Sequence, residues 1–79
     1  SVNYAAQVRN IGGKTCYQNG ADWIDQDVQK AKNAKRNQVK FASDAYFALA
    51  RRSSKAAQCM SLGQTVQFEL DGEVYEVIP

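Results

Sequence analysis

The sharpest alternation of apolar and polar residues runs through QTVQFELDGEVYEVIP, where Val66, Phe68 and Leu70 are separated by Gln67 and Glu69. A period of two is the mark of a half-buried strand. The Asp71-Gly72 step after it predicts a two-residue hairpin turn. That turn sets Phe68 opposite Tyr75 and Val66 opposite Val77, with Gln67 facing Glu76 on the wetter side. IGGKTCYQ, Asn-Gly and ADWIDQ predict a second hairpin. An Asn19-Gly20 turn would place Cys16 opposite Trp23, Tyr17 opposite Asp22, and Lys14 opposite Asp25, with Cys16 and Trp23 on the core face. Gly12-Gly13 reads as a bulge or strand entry, and residues 1–10 as a lead into the first strand.

VKFAS predicts a short strand with Val39 and Phe41 on one side. SDAYFALARR then changes period. Ser43 or Asp44 can cap a helix whose Tyr46, Leu49 and Ala50 form an inward stripe, and Arg51 and Arg52 suit its C-terminal end. Ser53 or Ser54 can cap a second short helix with Ala56, Cys59 and Met60 on one face and Gly63 as its stop. Residues 28–38 have weak periodicity and read as an exposed connection with at most a turn of helix. The expectation is an α+β fold. Its antiparallel sheet has about five strands, curled toward a partial barrel, and a helix–turn–helix segment packs across it between the third and fourth strands.

With 79 residues the chain makes one domain, 1–79, with a thin stability margin. It lacks an initiator Met, which suggests a processed chain or an excised domain. No apolar run approaches the roughly 20 residues of a membrane-spanning helix. The net charge of +2 hides a division. Residues 30–55 hold Lys30, Lys32, Lys35, Arg36, Lys40, Arg51, Arg52 and Lys55 against the single acid Asp44. The rest of the chain is acidic. The eight basic residues are a candidate surface for an anionic partner, and Tyr46, Phe47 or Tyr17 could add base stacking if that partner were nucleic acid. A solvated connection is the plainer reading, and no nucleic-acid-binding motif is present.

Little else suggests chemistry. There is no histidine, and two cysteines without a C-x-x-C cannot build a four-ligand zinc site or a thioredoxin-like motif. Gly12-Gly13-Lys14 lacks the spacing of a phosphate-binding loop. Asp22, Asp25 and Asp27 read as a solvated strand edge rather than a calcium loop, and Glu69, Asp71, Glu73 and Glu76 as a charged edge that discourages pairing. No nucleophile–base pair can be named, so neither an enzyme, a cofactor nor a metal is expected.

VRNIGGKTCYQNGADWIDQDV, QVKFASDAYFALARR and CMSLGQTVQFELDGEVYEVIP together resemble a short module near the C-terminus of bacterial proteins that carry a VIT domain and a von Willebrand factor type A domain. Ser43–Phe47 and Leu70–Val77 carry most of the likeness. The resemblance implies a non-catalytic accessory module in an extracytoplasmic setting: periplasmic, cell-surface or secreted. Cys16 and Cys59 stand where the module's pattern has apolar residues. Their expected state is a disulfide, worth roughly 2–4 kcal/mol through its long loop. Buried free thiols, or a reactive or metal-bound cysteine, are the alternatives. The functional expectation is therefore a disulfide-stabilised interaction module with a protein partner. Its alternative is a small binder of nucleic acid or anionic surfaces through residues 30–55. The sequence sets neither the partner's identity nor the oligomeric state.

Overall fold

A computed structural model describes residues 7–79. The first six residues of the expected lead-in lie outside the described residues. In chain order come β1 (Val8–Ile11), β2 (Lys14–Asn19), β3 (Asp22–Asp25), α1 (Asp27–Lys30), β4 (Arg36–Lys40), α2 (Asp44–Arg52), α3 (Ser54–Met60), β5 (Val66–Leu70) and β6 (Glu73–Ile78).

The fold is α+β, and the sheet differs from the expected one. It is open and mixed, six strands in the order β1-β2-β3-β5-β6-β4. The extra strand is β1, because Gly12-Gly13 is itself a hairpin turn. Both glycines have positive φ, +61° and +77°, which a tight turn accepts without a Cβ penalty. β3 pairs with β5, and β4 with β6, in parallel. Both arrangements need a crossover, and α2 and α3 provide it between β4 and β5.

The final hairpin has the register its alternation predicts, with Val66 opposite Val77 and Phe68 opposite Tyr75. Asp71 and Gly72 both have positive φ at its turn. The Phe68 and Tyr75 rings stack at 5.7 Å. Phe68 is wholly buried, a contribution of about 1.5–3 kcal/mol. The β2–β3 hairpin slips by two residues. Its turn is Gly20-Ala21, Asn19 faces Asp22, and Cys16 faces Asp25 rather than Trp23. A slip of two leaves every side chain on its expected face, so Cys16 and Trp23 are both buried.

The helices begin as their serines dictate. The Ser43 hydroxyl accepts from the Tyr46 N–H at 3.2 Å. Ser53 does the same for Ala56 at 3.1 Å. Leu49 of α2 and Ala56, Cys59 and Met60 of α3 pack against Trp23, Val39, Val66 and Phe68 to form the core, with Phe41, Tyr46 and Tyr75 half-buried at its margin. The stretch expected to be an exposed connection is partly built in: Val28 of α1 is buried and α1 lies against β5. Among the described residues no helix is long and apolar enough to cross a membrane.

Candidate functional site

The densest polar cluster forms where β3 ends. β3 stops at Asp25, opposite Cys16 of β2, while β2 begins two residues earlier at Lys14 and β5 runs on to Leu70. The Lys14 side chain reaches past the end of β3 to acids of β3, α1 and β5. Its Nζ lies 2.7 Å from Asp25, 3.2 Å from Asp27 and 3.1 Å from Glu69. Lys14 is 6% exposed and Asp25 0%. Asp25 also accepts from the N–H groups of Asp27 and Glu69, both at 3.0 Å. The remaining oxygen of Glu69 accepts from the Gly72 N–H at 2.8 Å.

The expectation of a solvated strand edge is thus corrected at Asp25. Alternation held the signal: if Trp23 and Cys16 face the core, so do Asp25 and Lys14, and two buried charges must pair. Asp25, Asp27 and Glu69 bring carboxylate oxygens within 4.8 Å of one another, a spacing that suits a cation. The Lys14 ammonium supplies the positive charge.

The electrostatics lock the cluster. Burial works against the charged form of Lys14, but its hydrogen bonds with Asp25, Glu69 and Asp27 outweigh burial and raise its pKa above the ordinary 10.5. The Gly72 N–H, with Lys14 second to it among the stabilising groups, holds Glu69 below its ordinary 4.5. A cleft of about 690 Å³ opens beside the cluster, lined by Asp27, residues 30–34, Glu69 and Gly72.

All eight basic residues of the 30–55 segment are exposed, but they do not form a single surface. Side chains of a strand alternate between faces. Val39 belongs to the helix-covered core, so Arg36 and Lys40 project on the opposite face of the sheet. Arg51, Arg52 and Lys55 stand on the helices. Arg36 binds Glu76 at 2.6 Å, and Lys30 lies 4.0 Å from Asp27. Arg52 donates to the Tyr75 hydroxyl at 3.1 Å. Lys32, Lys35, Lys40, Arg51 and Lys55 have no acidic partner among the described residues. Of the aromatics proposed for stacking, Tyr46 and Phe47 meet edge-on at 5.2 Å and Tyr17 stands apart on β2. Tyr17 is half-buried and bonded to Gln29, Tyr46 packs edge-on against Phe41 at 5.1 Å, and Phe47 alone of the three is exposed.

Cys16 and Cys59 come together in the core, but as free buried thiols rather than the expected disulfide. Burial, and then the nearby charge of Asp25, raise the pKa of Cys16. Burial, followed by Cys16 itself, pushes Cys59 up to about 12. The extracytoplasmic placement expected from the resemblance and the disulfide together is corrected here, because the two thiols are free and buried.

Compared with known protein families, with curated proteins and with solved structures, the chain matches none.

Proposed function

We propose that the chain is a non-catalytic interaction module whose partner is a protein with an acidic contact surface. One observation carries this reading: among the described residues, each titratable side chain with a displaced pKa is displaced away from neutrality. Lys14 is raised, Glu69 lowered, and Cys16 and Cys59 raised. A general acid or base works best with a pKa near the operating pH. A nucleophilic cysteine works as a thiolate, and burial disfavours that form here. The best-organised polar cluster therefore serves to hold β2, β3, α1 and β5 together. What remains for a partner is a rigid exterior with unpaired lysines. The accessory role implied by the likeness to the VIT and von Willebrand factor type A module is in keeping with this.

Titration of the immobilised chain with polyglutamate tests the reading. Saturable binding that weakens as salt rises is expected; no binding at low salt counts against it. A second reading, single-stranded nucleic acid as the partner, is favoured by one feature: Phe47 is 47% exposed, with Arg51 one helical turn on. Micromolar binding of an oligothymidylate at physiological salt, lost on Phe47→Ala, would select it.

A further inference from the structure

We propose that the open edge of β4 accepts an extended acidic segment of another protein as an added strand. This rests on the interaction-module reading and gives it a place and a binding mode.

β4 is the last strand of the sheet. Its inward groups are fixed at both ends of its pairing with β6. The Val74 N–H donates to the Lys35 carbonyl at 2.9 Å, and the Phe41 N–H donates to the Ile78 carbonyl at 2.7 Å. Alternation along a strand gives Asn37 and Val39 the same inward direction. Arg36, Gln38 and Lys40 therefore turn their backbone groups to the open side. The Lys40 carbonyl is taken by Ser43, through its N–H at 3.1 Å and its hydroxyl at 2.7 Å. The N–H and C=O of Arg36 and Gln38 and the N–H of Lys40 have no partner among the described residues. An incoming strand needs such a row of unpaired groups.

The other edge is less suited. β1 directs Arg9 and Ile11 at β2, since the Gln18 N–H donates to the Gln7 carbonyl and the ladder alternates from there. Among the described residues of β1, only Val8 and Asn10 turn their backbone groups outward, against three residues on β4.

Charge selects the occupant of β4. Arg36 and Lys40 lie on the strand and Lys35 directly before it, all exposed. Glu76 on β6 offsets Arg36, while Lys35 and Lys40 stay uncompensated among the described residues. A second copy's β4 would bring the same positive charges and be repelled. A strand carrying Glu or Asp at alternate positions would set them against Lys40 and its neighbours. The basic residues that guard the edge against self-association thus also specify its partner.

The test uses a fluorescent octapeptide alternating glutamate and valine. Its counterparts are the same peptide N-methylated at alternate residues, a lysine–valine version and a single-stranded oligothymidylate. Binding of the acidic peptide is expected, with N-methylation weakening it by at least about tenfold through the loss of two backbone hydrogen bonds. The lysine peptide should not bind. Lys40→Glu, an exposed substitution that leaves the fold intact, should weaken the acidic peptide several-fold. Amide exchange should slow on binding at Arg36 and Gln38. Equal binding of the N-methylated peptide, or unchanged exchange at those amides, would overturn strand addition while leaving an anionic-partner module standing. Failure of every acidic probe, polyglutamate included, would overturn both. Tighter binding of the oligonucleotide than of the peptide would replace the proposal with the nucleic-acid reading.

Discussion

At the scale of single residues, the ion pair between Lys14 and Asp25 decides most. A buried charge that loses its partner keeps its desolvation cost. Lys14→Met should cost about 3–5 kcal/mol in chemical denaturation, and adding Asp25→Asn should recover part of that loss. No recovery in the double variant would mean the pair does not act as a unit. The pH dependence follows from the same groups. Glu69 has a lowered folded pKa, so its contribution is complete above 4.5 and is lost as pH falls through the lowered value. Lys14 and the thiols have raised folded pKa values. The thiols' contribution is complete below 9.0 and that of Lys14 below 10.5, and each is lost as pH rises through its folded value. Melting temperature should therefore be flat near neutrality and fall at both extremes. The alkaline fall should begin near pH 9 in the parent chain and nearer 10.5 once Cys16 and Cys59 are both alanine. A fall that starts at the same pH in both chains would show that the thiols do not contribute. In the sequence, charge type and alternation hold Lys14 and Asp25 together even though an Asn19-Gly20 turn predicts a register two residues from the one the hairpin adopts. The two registers compete because both Asn19-Gly20 and Gly20-Ala21 satisfy the rule that a tight turn needs positive φ at glycine.

At the scale of elements, Ser53 has three tasks. Its N–H donates to Leu49 at the end of α2, its hydroxyl accepts from Ala56, and its carbonyl accepts from Ala57 in α3. Ser53→Ala should cost about 1 kcal/mol, read as a shift in the denaturation midpoint, with Ser53→Asp restoring most of it. Between β4 and α2, Ala42 has a φ of +63°, where a Cβ is disfavoured. Ala42→Gly should raise stability by up to about 1 kcal/mol after the added freedom of the unfolded chain is subtracted. A lower melting temperature would show that Ala42 is not strained. Helices and caps were legible because their signals are local: a serine, an acid in the first turn, an apolar stripe. The sequence does not predict the β1–β2 hairpin although Gly12-Gly13 suits a two-residue turn, because VRN carries too little apolar alternation to mark a strand.

At the scale of the whole molecule, the thiols report on global opening. Both cysteines are 0% exposed, so a thiol reagent should modify neither in the folded state and both in denaturant without prior reduction. A rate that follows the global unfolding equilibrium is expected, and rapid modification of the native chain would contradict their burial. The strand order could not be read from the sequence. Alternation states that β3, β5 and β6 each have a buried face but not which strands lie side by side. The parallel contacts, Trp23 beside Val66 and Asn37 beside Tyr75, join distant residues. The basic segment was legible as a run of charge, but its division between two faces depends on the β4–β6 pairing.

That order also bears on how the chain acquires its shape. The β1–β2–β3 meander has no contact with β4 through the sheet except by way of β5 and β6. Until the last hairpin is inserted, the sheet exists as two unjoined pieces and Lys14 lacks Glu69. Closing the loop from Trp23 to Val66 must precede most of the stabilisation. The last hairpin therefore acts as a keystone: substitutions in Val66–Leu70 should slow refolding, whereas the substitution at Ser53 should mainly hasten unfolding.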